Sequence, residues 1–94
     1  MSLVLEVLQE EFAEWVERNR SIAVLTSFER GPRFMGDQSQ HQFGLAADWD
    51  GALPNLARVA DDARAQGYVV VWEKDHLHVQ RFHKGFLARC GLFA

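Results

Sequence analysis

"SQHQFGLAAD", residues 39–48, joins a polar loop to an apolar segment and carries His41 and Asp48 seven positions apart. Gly44 lies between them, where a residue without a side chain lets the backbone bend. "GLAADWD" (Gly44–Asp50) is short and apolar and is bounded by glycines, which is typical of a strand. In a regular strand Ala46 and Asp48 share one face, so a small side chain leaves room beside the carboxylate. The stretch therefore predicts a loop that turns into a strand at a histidine–aspartate pair.

The segments on either side of this stretch predict an α+β fold, because helical patterns alternate with short strands and the sheet is expected to be small and mainly antiparallel. The segment 29–44 is expected to be a long loop, and loops of that length are uncommon in small domains unless they are functional. The segment "YVVVW" is expected to be a buried strand. The predicted elements are a helix over 3–18, a strand over 21–28, a loop over 29–44, a strand over 44–50, a helix over 51–67, strands over 68–72 and 76–82, and a helical turn or two within 84–94.

Length and composition restrict the class of protein. A chain of 94 residues predicts a single domain, 1–94. The net charge is −3 and the basic residues are scattered, so no nucleic-acid surface is expected. The acidic residues of the first helix interrupt any signal peptide or membrane span, which predicts a protein that is cytoplasmic as synthesised and has no membrane partner. Cys90 is the only cysteine, and the oligomeric state is left open.

A second stretch, "WEKDHLHVQ" (Trp72–Gln80), holds two more of the four histidines. Each of the two stretches adjoins a predicted strand, so a single sheet could bring them side by side. A catalytic zinc site uses three His or Asp/Glu ligands, an open position and a nearby carboxylate. The first stretch and one histidine of the second could supply the ligands, and Asp75 or Glu73 could supply the base.

The spacing within the second stretch predicts a local irregularity. Asp75 and His78 are three positions apart, so a regular strand would point them to opposite faces. Both side chains must face the same site if one is a ligand and the other a base. We therefore expect a turn or bulge at about Lys74–His76, with His78 pointing inward from the strand that follows.

Both stretches resemble the motifs of the M15 zinc peptidases. "SQHQFGLAAD" matches the pattern Ser-x-His-x-x-Gly-x-Ala-x-Asp at every specified position, and "DHLH" is similar to the second motif, Asp/Glu-x-x-His. The family includes D-Ala-D-Ala carboxypeptidases and dipeptidases and the phage L-alanyl-D-glutamate endolysins, and hedgehog signalling domains share its fold. The resemblance covers about Leu25 to Phe82. It implies a hedgehog/DD-peptidase-like α+β domain with helices packed on the sheet, and Zn²⁺ as the cofactor.

The resemblance also implies a role for each polar residue of the two stretches. Asp75 would be the general base and later the proton donor to the leaving amine. His76 corresponds to an additional histidine near the metal, while Glu73 is expected to be a solvated or neighbouring carboxylate. Ser39 is expected to shape the histidine loop through a local hydrogen bond. The zinc ligands would be His41, Asp48 and His78.

The family further places an arginine upstream of the first motif, where it polarises the scissile carbonyl and stabilises the oxyanion. "LTSFER" puts Arg30 at that position. The chain departs from the family pattern because Phe28 and Glu29 replace a Gly-Tyr pair and the interval to His41 is short. Arg33 is the alternative, and either arginine could simply lie on the surface.

These observations favour a zinc-dependent peptidase that cuts a D-Ala-D-Ala or L-Ala-D-Glu type bond in peptidoglycan or its peptide fragments. A phage or prophage lysis enzyme released through a holin, or a cytoplasmic dipeptidase, fits that activity. The alternative is a zinc-binding, non-catalytic structural or assembly module of a phage protein, which the shortened loop favours. A third hypothesis is an α+β interaction domain whose histidines bind no metal.

Overall fold

The computed structural model describes residues 3–31 and 33–91. In this part of the chain, helices pack against a single four-stranded antiparallel sheet. Its elements are α1 (Leu3–Asn19), β1 (Val24–Ser27), a 3₁₀ helix (Gln40–Phe43), β2 (Ala46–Asp50), α2 (Leu53–Ala65), β3 (Val69–Trp72), β4 (Leu77–Gln80) and α3 (Phe86–Arg89). The four strands follow the order β1-β2-β4-β3, and every neighbouring pair is antiparallel. The α+β prediction with a small antiparallel sheet is confirmed.

The two faces of the sheet carry different residues. Along β4, Leu77 and Val79 are fully buried, and they pair with Trp49 and Ala47 of β2. Because side chains alternate along a strand, the intervening residues of both strands point to the opposite face. The apolar face is covered by the helices. The residues of the buried apolar core cluster are Leu5, Phe12, Trp15, Val16, Ala23, Leu45, Ala47, Trp49, Leu56, Val59, Ala60, Ala63, Leu77, Val79 and Leu87.

Helix α1 is joined to α2 by a partly buried polar contact at the edge of the apolar layer. The indole Nε1 of Trp15 donates to Oδ2 of Asp62 at 2.7 Å, and Nδ2 of Asn19 donates to the same oxygen at 3.1 Å. Trp15 also packs edge-to-face on Trp49, with ring centroids 5.7 Å apart. Since buried polar groups cost free energy unless they are hydrogen-bonded, Asp62 stabilises the orientation of α1 as well as its position.

Helix α2 (Leu53–Ala65) lies within the predicted range 51–67 and is two residues shorter at each end. Pro54 lies in its first turn, where the missing N–H leaves no hydrogen bond unmade. Gly67 follows the helix with φ +81°, the left-handed conformation that a glycine adopts at little cost. The spacing of Leu53, Leu56 and Ala60 predicts one apolar side for this helix, but Leu53, its first residue, is largely exposed.

The strand predicted at 68–72 is present as β3, but the prediction that it is buried is wrong. β4 lies between β2 and β3, so β3 forms an edge of the sheet, and Trp72 remains 46% exposed. A short apolar run has the composition of a buried strand whether or not a neighbour covers it, which explains the error. The first strand is also shorter than 21–28, because the backbone N–H groups of Ile22 and Ala23 both donate to the Asn19 carbonyl in a turn.

The C-terminal turn predicted within 84–94 is present as α3, and residues 92–94 lie outside the described residues. Within the described part of the chain, none of the helices has both the length and the apolar character needed to cross a membrane.

Candidate metal centre

Three polar side chains meet on the face of the sheet opposite the apolar core. Nε2 of His41 lies 3.3 Å from Oδ2 of Asp48, and Nδ1 of His78 lies 2.8 Å from Oδ1 of the same carboxylate. One candidate ligand atom from each of the three residues lies within 4.8 Å of the other two. The carboxylate therefore lies between two imidazoles, with one oxygen facing each ring.

A 3₁₀ helix (Gln40–Phe43) places His41 at the cluster, whereas the sequence predicts loop over the whole of 29–44. Ser39 is its N-cap, and its Oγ accepts a hydrogen bond from the His41 backbone N–H at 3.3 Å. Gly44 ends the helix with φ +66°, which favours glycine, and the chain then enters β2. As a result His41 is only 1% exposed, although it belongs to a connecting segment.

The tautomer of His41 is determined by the backbone. Its Nδ1 lies 2.5 Å from the carbonyl oxygen of Phe28, which can only accept a hydrogen bond. Nδ1 therefore carries the proton, and the lone pair of Nε2 points toward Asp48. Metal-binding histidines typically donate their second ring N–H to a carbonyl or carboxylate in this way.

Register places the other two residues of the cluster. Asp48 on β2 stands opposite His78 on β4, and on its other side it stands opposite Ser27 on β1. The ring of His78 is further held from behind, because its Nε2 lies 2.8 Å from Oε1 of Gln80. On the same face of β2, the neighbouring Ala46 is small and fully buried, which leaves room beside the carboxylate.

The charges within the cluster favour a cation between the rings. Burial alone would raise the pKa of Asp48, but the His41 and His78 rings beside the carboxylate outweigh that effect and hold the pKa well below its usual range. Burial would lower the pKa of His78, yet its hydrogen bonds with Asp48 and Gln80 raise it overall. Without a metal, the cluster holds an ionised carboxylate beside a ring that favours its proton. A divalent metal can replace that proton.

The predicted turn before His78 is present and brings Asp75 near the cluster. The Glu73 backbone N–H donates to the His76 carbonyl at 3.0 Å and closes the connection between β3 and β4. Oδ1 of Asp75 lies 2.6 Å from Nδ1 of His76, whose Nε2 is 3.6 Å from Oδ1 of Asp48. Asp75 is thus linked to the cluster through His76, while its own side chain is 86% exposed. The hydrogen bond with His76 lowers the pKa of Asp75, so it is ionised at neutral pH.

An open cleft runs beside Asp48 on the solvent side of the cluster. The described residues that line it are Thr26, Ser27, Arg33, Asp48, Asp50, Asp75 and His76. The cleft thus offers an approach to the carboxylate, with an aspartate and a histidine on one side. Arg33 is the cation among these lining residues.

Arg30 makes its contacts within the loop that precedes the cluster. Its Nη1 is 3.5 Å from Oδ2 of Asp37 and donates to the Gly31 carbonyl at 3.2 Å, and its Nη2 donates to Ser39 Oγ at 3.4 Å. The guanidinium therefore braces the residue that caps the 3₁₀ helix. Of the two arginines considered from the sequence, the structure places Arg33 in the cleft and Arg30 behind the histidine loop.

Two glutamines and a backbone carbonyl support the cluster, although the sequence does not predict their roles. Gln80 contacts His78, and Gln40 binds the backbone of Phe82 beside it. Gln80 could have been predicted, because residues two apart on a strand share a face and Gln80 follows His78 by two positions. The Phe28 carbonyl that orients His41 could not, since backbone groups leave no mark in the sequence.

The three donors fit a metal ion. Two imidazole nitrogens and a carboxylate are the donor set of many catalytic zinc sites, which keep a further position open. His41 and His78 also have their outward-facing ring nitrogens hydrogen-bonded, as metal ligands generally do. His41, Asp48 and His78 therefore form a candidate metal-binding triad.

Comparison of the chain with protein-family models, with curated proteins and with solved structures gives no match. The likeness to M15 peptidases thus depends on the two motifs and on the residues that they bring together.

Proposed function

We propose that the protein is a zinc-dependent peptidase that hydrolyses a peptide bond in bacterial cell-wall peptides. The observation that carries the proposal is the triad of His41, Asp48 and His78, of which Asp48 lines an open cleft together with Asp75. A ligand set without a carboxylate beside it would suit a structural metal as well. The adjacent carboxylate is what favours hydrolysis.

His41 Nε2, a carboxylate oxygen of Asp48 and His78 Nδ1 would hold the zinc ion. Bound there, zinc would supply Lewis acidity toward a peptide carbonyl and lower the pKa of water. The backbone carbonyl of Phe28 and the amide of Gln80 keep both rings in position from behind. Held in this way, the ligands need little rearrangement when the metal binds.

Asp75 would serve as the general base. It is ionised at neutral pH and lines the cleft, so it can accept a proton from the attacking water and return it to the leaving amine. His76, 2.6 Å away, would hold the carboxylate toward the cleft. Arg33 would stabilise the negative charge that develops on the carbonyl oxygen, or bind a carboxylate of the substrate.

A second candidate is a zinc-binding module of a phage protein that does not catalyse hydrolysis. The observation that favours it is the position of Arg30, which the M15 motifs would assign to the oxyanion but which contacts Asp37 and Ser39 instead. In this case zinc would stabilise the fold, and the cleft would bind no peptide.

Mass spectrometry of peptidoglycan fragments separates the two candidates. Purified protein with zinc is incubated with peptidoglycan and, separately, with D-Ala-D-Ala and L-Ala-D-Glu peptides. A peptidase releases defined fragments whose masses identify the bond that is cut, while Asp75→Asn releases far less of them and still binds zinc. Wild-type protein that binds zinc but leaves every substrate intact supports the binding module. As part of the peptidase proposal, the protein would reach the cell wall through a phage holin.

A further inference from the structure

Behind His78, on the side away from Asp48, lies a short chain of hydrogen bonds. Oε1 of Gln80 is 2.8 Å from Nε2 of His78, and Nε2 of Gln80 donates to the carbonyl of Phe82 at 2.7 Å. Gln80 follows His78 by two positions on β4, so both side chains lie on the same face of the sheet. The amide thus connects a ligand of the candidate site to a backbone carbonyl.

The Phe82 carbonyl determines which way this amide points. A carboxamide has one end that donates and one that accepts, whereas a carbonyl only accepts. The NH₂ group of Gln80 must therefore face Phe82, and its oxygen must face His78. Because that oxygen only accepts, Nε2 of His78 has to carry a hydrogen.

Gln40 holds the Phe82 backbone in place. Its Nε2 donates to the Phe82 carbonyl at 2.6 Å, and its Oε1 accepts from the Phe82 N–H at 3.0 Å. Gln40 is 5% exposed and directly precedes His41 in the 3₁₀ helix. The carbonyl that orients Gln80 is therefore itself positioned by the segment that carries the other histidine.

We infer that Gln80 is a positioning residue that selects the His78 tautomer able to bind a metal through Nδ1. In a neutral ring with hydrogen on Nε2, the lone pair of Nδ1 points toward Asp48, where the candidate ligand atoms converge. The other tautomer would place hydrogen on Nδ1, donate it to Asp48 and remove that nitrogen from the site. The inference rests on the metal site of the proposed function.

His41 is also oriented by a hydrogen-bond acceptor behind its ring, but there the nitrogen that carries the hydrogen is Nδ1. There the Phe28 carbonyl takes the hydrogen of Nδ1 and leaves Nε2 free. The two histidines thus offer different ring nitrogens to one site, and each choice is made by an acceptor on the far side of the ring. Such acceptors typically contribute about 10–100-fold to metal affinity.

Zinc affinity of three variants tests the role of Gln80, measured at neutral pH by competition with a chromophoric chelator. Gln80→Leu removes the acceptor and is expected to weaken zinc binding about 10–100-fold. Gln80→Glu keeps an acceptor and is expected to bind zinc at least as tightly as the wild type. Gln9→Leu is the matched control, because it also loses a side-chain bond to a backbone carbonyl, at 2.8 Å, and is expected to bind zinc normally.

Long-range ¹H–¹⁵N correlation spectra of the wild-type zinc form provide a readout that does not depend on the variants folding. The expected spectrum shows His78 with hydrogen on Nε2 and metal on Nδ1. The reverse assignment, or equal zinc affinity in Gln80→Leu and the wild type, would overturn the role of Gln80 while leaving the zinc site intact. Wild-type protein that binds no zinc would overturn the metal site and this inference together.

Discussion

Asp48 and His78 stand directly opposite each other where β2 pairs with β4, and their side chains approach to 2.8 Å. Because side chains alternate along a strand, a slip of one residue in this register would move His78 to the apolar face. The buried residues on either side of His78, Leu77 and Val79, oppose such a slip. The packing of the core therefore also aligns two of the three candidate ligands.

Zinc is expected to raise the melting temperature of the protein. A ligand at about 100 times its Kd stabilises the folded state by about 2.7 kcal/mol. In a domain of this size, that corresponds to an increase of roughly 10–20 °C. Differential scanning calorimetry with zinc and with a chelator measures the change. Asp48→Asn should abolish it, and His83→Asn, which alters an exposed histidine outside the triad, should retain it. An equal response in both variants would place the zinc elsewhere.

Asp75→Asn is expected to reduce hydrolysis of a cell-wall peptide by about 10²–10⁴-fold, because the amide cannot accept the proton of the attacking water. Zinc affinity should be nearly unchanged, since Asp75 contacts the triad only through His76. The control is Asp50→Asn, which changes another carboxylate of the same cleft. Turnover that survives in Asp75→Asn but disappears in Asp50→Asn would assign the base to Asp50.

Arg33→Gln is expected to reduce turnover by about 10²–10³-fold, because Arg33 lines the cleft where the oxyanion would form. Arg30→Gln should lower the melting temperature instead, since Arg30 contacts Asp37 and the cap residue Ser39. Kinetic measurements combined with thermal unfolding separate the two effects. If Arg30→Gln loses turnover at normal stability while Arg33→Gln remains active, the roles of the two arginines are the reverse.

The metal-free protein is expected to lose stability as the pH rises above 6.5, the ordinary pKa of histidine. The pKa of His78 is higher in the folded protein than its ordinary value of 6.5, so its contribution is complete below pH 6.5 and is lost as the pH rises through the folded-state pKa. The pKa of Asp48 is lowered, so its contribution is present above 3.8 and is lost only in acid. Urea unfolding at pH 5.5 and 8.5 with a chelator measures the difference.

His78→Asn provides the comparison for this pH dependence. The variant lacks the titrating ring, so its free energy of unfolding should change less between the two pH values. A wild-type free energy that rises over the same interval would contradict the assigned direction. Zinc affinity should follow the opposite trend and increase with pH, because the metal competes with the His78 proton.

Much of the fold could be predicted from the sequence because its periodic signals are strong. The spacing of apolar residues such as Phe12, Trp15 and Val16 predicts α1, and Pro54 and Gly67 mark the limits of α2. The position of β3 at the sheet edge could not be predicted. Strand order depends on which strand β4 joins, and no local pattern specifies that choice.

The candidate site was predictable to a similar extent. His41, Asp48 and His78 can be recognised from the sequence because histidine and aspartate are common metal ligands and their spacing is typical of a metal site. The structure brings the three side chains together. A turn before His78 was also predictable, because Asp75 and His78 are three positions apart and would face opposite sides of a regular strand. The environment of each ligand was less accessible, because the Phe28 carbonyl and the Gln80 amide act through three-dimensional contacts.

The most direct test of the account is the zinc content of the purified protein, measured by native mass spectrometry after exchange into metal-free buffer with one equivalent of zinc. One zinc ion per chain is expected, held by His41, Asp48 and His78, and none is expected in Asp48→Asn. Wild-type protein that carries no zinc, or an Asp48→Asn variant that carries as much as the wild type, would contradict it.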